Sequence, residues 1–520
     1  MTDRIRLNED NRRWWTLAAM CFALFMIMLD NTVVNVALPS IQDDLDASLS
    51  GIEWTVNAYT LTFAVLLVTG GRLGDIFGRR RMFLFGVVVF ALSSAAIGFA
   101  PDQHWLVAGR AVQGIGAAFM MPGTLSIISN TFPPEERGKA IGTWAGVSAL
   151  ALALGPVVGG ALTEYVSWRA IFFLNLPVAA GAVAVTLFAT RESRDESTAH
   201  SVDLPGIALL SLGLTSLVLA LVEGNSWGWG SPEIVALLAT AAIGLVGFAL
   251  LEPRVREPMV DFTYFRSRTF VGANAVAFVV SFAMLAMFFF IALYMQNSLG
   301  YSAVEAGVRF LPSTLMIVLI APLAGRLADR IGPRPLMVSG LTLTAIALFM
   351  QTRIEVDTGY ALLLPSFVIM GVGMALTMSP MSTAAMNAVA PEKAGAASGI
   401  LSMSRMVGGT FGVATIGALF QHLASDRLSE SLAGLPVTAG QREELVANLG
   451  SGSGGDLKGL DPAVAGQVKV AANDAFVHAL SSGMWLSAAV AATGAVLAFW
   501  LVAPKVRAKA VEPAPEPVGI

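Results

Sequence analysis

A single cysteine in 520 residues, Cys21, excludes an intrachain disulfide. The four histidines, His104, His200, His422 and His478, lie far apart and show no metal-ligand spacing, so no metal site is expected. No Gly-x-x-x-x-Gly-Lys-Ser/Thr loop occurs, which removes ATP as a direct energy source and leaves no cofactor expected. Charge is also scarce. Only 13% of the residues are charged, against about 25% in soluble domains, and 55% are hydrophobic, so the chain is expected to be integral to a membrane. The few ionisable groups in its apolar stretches are too sparse for a membrane enzyme, which needs several gathered at one depth. The net charge of −4 decides little, because in a membrane protein the placement of charge matters more than its sum.

What is abundant is long apolar sequence. A bilayer core of ~30 Å takes about 20 apolar residues as a helix. That template fits fourteen times, at 15–38, 54–71, 82–100, 105–130, 139–162, 170–190, 204–223, 232–251, 270–296, 304–324, 336–352, 360–386, 396–421 and 476–503. Lysines and arginines then set the direction. With the N-terminus inside, 23 of the 32 basic residues fall on inward segments. Six fall outward (Arg169, Arg353, Arg427, Arg442, Lys458 and Lys469), and Arg110, Arg309 and Arg405 lie in or at the ends of helices. Both termini are therefore expected in the cytoplasm, and the first apolar segment reads as an uncleaved signal-anchor.

The chain repeats itself. Gly71-Arg72-Leu-Gly74-Asp75-Ile-Phe-Gly78-Arg79-Arg80-Arg81 returns in degraded form as Gly325-Arg326-Leu-Ala-Asp329-Arg-Ile-Gly-Pro-Arg334-Pro335. Pro134-Glu-Glu-Arg-Gly-Lys-Ala-Ile-Gly142 before span 5 returns as Pro391-Glu-Lys-Ala-Gly-Ala-Ala-Ser-Gly399 before span 13, at nearly the same offset. Six spans thus form each half, with spans 7 and 8 inserted between them. The expected class is an all-α membrane protein of two six-helix bundles and two inserted helices. Its expected parts are an N-terminal segment (1–13), a first bundle (14–190) and a linker with the inserted spans (191–269). The second bundle (270–503) contains an extracytoplasmic loop at 422–475, and a Pro-rich tail follows (504–520), expected to be disordered. A duplicated bundle can rock its halves against one another, which points to a transporter.

These motifs together resemble the major facilitator superfamily, and within it the fourteen-span drug:proton antiporter-2 family. The resemblance runs from span 1 to span 14. It rests on Leu29-Asp30-Asn31-Thr-Val-Val-Asn35-Val-Ala-Leu-Pro39 and Arg110-Ala-Val-Gln113-Gly114, and on Gly146 with Gly155-Pro156-Val-Val-Gly159-Gly160. Trp168-Arg-Ala-Ile-Phe-Phe-Leu-Asn175-Leu-Pro177 and Trp227-Gly-Trp229 add to it. The resemblance implies that the span 5 motif marks exporters exchanging solute for protons, and that the Gly71–Arg81 loop holds the outward-facing state.

Individual residues carry matching roles. Asp30 is the lone ionisable group of span 1, and an acid at mid-membrane costs ~2.5–3.5 kcal/mol on insertion scales. At 1.5 Å per residue Asp30 and Arg110 fall at one depth, so Asp30 is read as the proton site and Arg110 as the group that tunes it. A structural ion pair is the alternative. Asn31, Asn35 and Gln113 either bind at that site or join helices. Asp75, an acid among Arg72, Arg79 and Arg80 beside Gly71, Gly74 and Gly78, reads as a charge latch between helix ends. Asp329 is expected to form a weaker copy. Gly155-Pro156 breaks the ladder of span 5, and Gly159 and Gly160 admit a close helix. Met370, Met374, Met378 and Met381 line one face of span 12, either as packing or, at Met374 and Met378, as an adaptable pocket wall. Glu223 closes span 7 at the surface, as a candidate for cation attraction or a second proton.

The expected activity is proton-coupled export of small amphipathic or cationic compounds such as drugs, dyes and antibiotics from a bacterial cytoplasm, by alternating access. The expected partners are the solute, protons and lipid, with no nucleic acid and a monomer as the default. A dedicated exporter of an endogenous metabolite or lipid-like molecule, and a non-transporting receptor on the same fold, are the alternatives.

Overall fold

The computed structural model describes residues 8–196, 202–255, 258–356, 358–438, 440–442, 445 and 461–504. The 504–520 tail, apart from its first residue, and most of the 439–460 stretch lie outside them. Fourteen helical stretches are long and apolar enough to cross a membrane. The first bundle comprises α1 (Glu9–Leu45), α2 (Leu49–Phe77), α3 (Arg79–Gly98), α4 (Gln103–Thr131) and α5 (Pro134–Tyr165). Its sixth span is split at Leu174 into α6 (Arg169–Phe173) and α7 (Asn175–Ala189). The inserted pair is α8 (Leu204–Trp227) and α9 (Pro232–Leu251). The second bundle comprises α10 (Arg268–Leu293), α11 (Ala303–Ile331), α12 (Pro333–Gln351), α13 (Tyr360–Asn387), α14 (Ala394–Leu432) and α15 (Pro462–Leu501).

The duplication is visible in the packing. In the first bundle α1 packs on α5 and α7, α2 on α4, and α3 on α4 and α7. The counterparts hold in the second bundle: α10 on α14 and α15, α11 on α13, and α12 on α13 and α15. Two long crossings join the bundles, α5 against α11 and α2 against α14, and α8 lies against both α2 and α14. Glycines make these crossings close. Gly142 and Gly146 meet Ala321 and Val318 on α11, and Gly399 meets Leu67 and Val68 on α2.

The helices outrun the apolar template. α1 continues through Pro39 to Leu45, α14 reaches Leu432, and α15 begins at Pro462. The loop expected at 422–475 is therefore helical at both ends. Leu428 and Leu432 pack there with Val468 and Ala475 in a small separate core, and Arg427 pairs with Asp474 at 3.0 Å. These turns are too polar for a bilayer template to mark, and they are held by their own contacts.

The molecule is closed at one end. The end carrying the Asp75 loop is called the basic end below. There α4 meets α14 and α5 meets α13. At the opposite end the corresponding pairs, α1 with α11 and α2 with α10, show no comparable packing among the described residues. Among the described residues the hydrogen bonds joining the two six-span bundles gather toward the basic end, including Ser398 Oγ to the Pro122 carbonyl at 2.7 Å and Asn130 to the Pro391 carbonyl.

Candidate coupling site and inter-bundle latches

Asp30 sits inside the first bundle with 4% of its surface exposed. Its hydrogen-bond donors come from two other spans, and those are held in turn by two more. Arg110 Nη1 on α4 donates to Oδ2 at 2.6 Å. Gln113 Nε2, one turn further along α4, donates to Oδ1 at 3.0 Å, as does Asn175 Nδ2 on α7. Asn175 also donates to Ser94 Oγ on α3. Arg110 is held independently of the acid: its Nε donates to the Thr55 carbonyl, Nη1 also reaches Gln113 Oε1, and Tyr59 lies 4.2 Å below the guanidinium. Taking two charges out of water costs several kcal/mol per ion, and that cost is offset only when the remaining donors and acceptors find partners. Both carboxylate oxygens do.

Gln113 sides with the site rather than with helix joining alone, and depth arithmetic pairs Asp30 with Arg110. It passes over Asn175 and Ser94, although Asn175 lies about six residues below the outer start of its span, nearly the depth of Arg110. Asn31 and Asn35 do not join the acid. Asn35 is exposed, and its amide donates to the Asn31 carbonyl on its own helix.

The α5 glycines face two ways. A side chain at Gly155 would collide with Thr32, and one at Gly159 with Val33, so α1 is seated in α5 within a turn of Asp30. Pro156 and Gly160 look instead toward Gly307 and Val304 on α11. The helix stays continuous through Pro156.

Asp75 is fully buried. Its Oδ1 accepts from Arg79 Nε and Nη2 at 2.9 and 2.6 Å and from the Gly395 amide at 2.9 Å, and Oδ2 accepts from the Ala396 amide at 2.8 Å. Arg79 continues to the carbonyls of Pro391 and Glu392. The carboxylate thus caps the N-terminus of α14, where unpaired amides and the helix dipole favour negative charge. Gly71 and Gly395 touch backbone to backbone beside it. Gly78, at φ +107°, turns the chain into α3, and Glu192 accepts from the Arg80 and Arg81 amides that follow. Gly74 has room for a side chain, and buried Arg72 makes no contact with Asp75.

The degraded copy repeats the device. Asp329 Oδ1 accepts from the Gly138 amide at 3.0 Å, and the Lys139 amide also reaches the carboxylate, in the second turn of α5. Gly325 meets Gly138 as Gly71 meets Gly395. Arg137 supplies the nearby positive charge and hydrogen-bonds Asn387 Oδ1 on α13.

Two pseudo-symmetric bundles closed by reciprocal carboxylate-to-amide contacts describe a fold that sequence comparison also finds. The model of the Major Facilitator Superfamily matches residues 20–413. The chain belongs to the Major Facilitator Superfamily. It is 36% identical over 496 residues to the tetracenomycin C resistance and export protein of Streptomyces glaucescens, covering 94% of this chain and 91% of that one. It is 40% identical over 412 residues to a puromycin resistance protein of Streptomyces alboniger, covering 78% and 82%. The proton:xylose symporter XylE superposes with a TM-score of 0.63 at 13% identity, covering 96% of this chain and 98% of that one, a likeness of fold alone. Superfamily membership makes this a multi-pass membrane transporter of small molecules rather than an enzyme.

Against a superfamily transporter's central cavity, two sequence candidates move. Met374 is buried with Met370 and Met381 in the core of the second bundle, so it packs rather than lines a pocket, while Met378 keeps a partly exposed face. Glu223 is not a surface cap. α8 runs on to Trp227, and Glu223 is buried beside Ser226 and facing Glu53 of α2.

Proposed function

We propose that the protein exports small amphipathic compounds, antibiotics among them, across a bacterial plasma membrane in exchange for protons. In this reading the basic end and both termini face the cytoplasm, so the described state is sealed inward. The observation that carries it is the buried Asp30–Arg110 pair, packed within a turn of the α5 glycines. The names of the Streptomyces relatives support the choice of cargo.

The geometry makes Asp30 a workable proton site. Adding a proton abolishes the ion pair and leaves the Arg110 charge uncompensated, with the guanidinium held in place only by the Thr55 carbonyl, Gln113 Oε1 and the Tyr59 ring. The neutral acid then loosens α1 from α4 and α7, and α1 lies in the α5 groove that borders the second bundle. One proton moving inward supplies ~2.3 kcal/mol per 100 mV and about 1.4 kcal/mol per pH unit. Both together sustain a concentration ratio of a few hundredfold for a neutral solute.

Proton-gradient-driven dye transport in everted vesicles tests this. The unaltered protein is expected to respond to the gradient, Asp30→Asn to fall to background and Arg110→Ala to fall at least tenfold. Gradient-driven transport surviving in Asp30→Asn overturns the assignment of the proton site. Failure to move any compound of a broad panel overturns export.

A further inference from the structure

Two arginines lie well inside the spans, and only one is neutralised. Arg110 has Asp30. Arg405 stands about eleven residues past Ala394, ~17 Å along α14, with its side chain leaning back toward the helix N-terminus. No carboxylate pairs with it among the described residues. Nη2 donates to Ser382 Oγ on α13 at 3.2 Å, and Nε is buried without an acceptor. The Trp144 ring on α5 lies 5.9 Å from the guanidinium carbon.

The place is as informative as the missing partner. Ser398, two turns nearer the basic end on the same face of α14, makes that helix's hydrogen bond to α4. Arg405 therefore stands just above the seal, where α14 faces α13 and α5. Trp144 is fixed there by its Nε1 donating to Thr124 Oγ1 at 3.1 Å. Met378 is one turn from Ser382 and accepts that hydroxyl's hydrogen bond on its carbonyl. A cation whose Nε lacks an acceptor, a buried indole and a part-exposed thioether thus converge from both bundles.

An unpaired cation inside a membrane is tolerated where a counter-charge arrives from elsewhere. We infer that Arg405 anchors the transported compound, and that the preferred cargo carries an ionised acidic oxygen, a carboxylate or phenolate, beside a flat ring. The oxygen accepts from the free guanidinium donors, and the ring lies against Met378, with the buried Trp144 backing the guanidinium. This deepens the export reading above, on which it rests, and it sets the charge preference against cationic dyes.

The test is equilibrium binding to the full chain in lipid nanodiscs, without a gradient, using fluorescent 3-hydroxy-2-naphthoate and its methyl ester. The acid is expected to bind at least tenfold tighter than the ester. Arg405→Gln is expected to bring the acid-to-ester affinity ratio close to one, chiefly by weakening the acid, and Arg405→Lys to retain part of the preference. No binding of the acid, equal binding of the two probes, or equal weakening of both by Arg405→Gln overturns the inference. The acid-to-ester ratio of the unaltered protein decides the matter even where the glutamine variant fails to fold. Gradient-driven transport of the ester in everted vesicles separates the two claims. If it persists without an acid preference, only the anchor fails; if the preference holds but nothing is transported, only the export reading fails.

Discussion

The two latches at the basic end use one geometry and opposite placements of charge. In each, a carboxylate at the end of one helix accepts backbone amides near the start of a helix in the other bundle, beside a glycine-to-glycine crossing, from the first turn of α14 in one latch and the second turn of α5 in the other. In the first latch the cation, Arg79, follows the carboxylate on its own side of the interface, and the acceptor helix offers neutral Ala394. In the second, Pro333 occupies the place equivalent to Arg79, and the cation is Arg137 on the acceptor helix. What the duplication preserves is the carboxylate-to-amide contact and the crossing; the side that carries the positive charge is free to change. Burial differs as well. Asp75 and Arg79 are sealed from water, whereas Asp329 is partly exposed, so water shares the work of the second latch.

The largest expected contrast is between Asp75→Asn and Asp329→Asn. Removing one member of a buried pair leaves its partner uncompensated, at about 3–5 kcal/mol. Asp75→Asn should thus lower the closed-to-open ratio of the basic end by on the order of a hundredfold or more. For Asp329→Asn, where solvent screens the charge, about tenfold or less is expected. Spin-label distances between the basic ends of α3 and α12 report that ratio, and equal shifts would show that burial does not separate the latches. Next come Gly395→Ala and Gly138→Ala. Either methyl would run into a carboxylate and a carbonyl that cannot retreat, so vesicle transport should fall more than tenfold for both. A tolerated alanine at one site would show that its crossing opens too little to matter.

A third, several-fold effect sharpens the comparison. Arg137→Ala should weaken transport, and adding Pro333→Arg should recover most of the loss by moving the cation to the side it occupies in the first latch. Gly332, at φ +89°, already makes the turn that Gly78 makes before Arg79. The absence of any recovery would mean that Arg137 matters for Asn387 rather than for Asp329. The smallest effect concerns the neighbouring Lys393–Asp261 pair at 2.5 Å. Partial burial pushes the Asp261 carboxyl up, but hydrogen bonds from Lys393 and Thr263 bring it below the ordinary carboxylate range. A depressed carboxyl stabilises the fold above its unfolded value near ~4 and loses that contribution as pH falls through the folded value. Asp261→Asn should therefore cost at most about 1 kcal/mol at pH 7 and progressively less as the pH is lowered below the unfolded value, read as thermal unfolding midpoints at pH 7 and in acid.

Fourteen apolar stretches and two repeated loops made the bundle architecture legible, because hydropathy and spacing are local signals. The polar ends of α14 and α15 were not, since helix outside a bilayer carries no hydropathic mark. Asp30 and Arg110 could be paired by depth because charges are rare there. Asn175 escaped because an amide in a span is commonly just a link between helices. The cation of the second latch was hidden for a different reason. Comparing Gly325–Pro335 with Gly71–Arg81 reveals a lost arginine, but its replacement sits nearly two hundred residues away on α5, and only the fold brings it back. Arg405 was visible merely as a charge left over when the basic residues were assigned to loops. Its missing counter-ion is a property of three dimensions.

The α14–α15 projection, with its own small core around Leu428 and Leu432, stands clear of the spans and belongs wholly to the second bundle. For a protein that otherwise offers little to a camera inside a detergent belt, it is a natural fiducial. An antibody fragment gripping it would give particle images a fixed marker, and its tilt relative to the first bundle would read out the transport cycle directly.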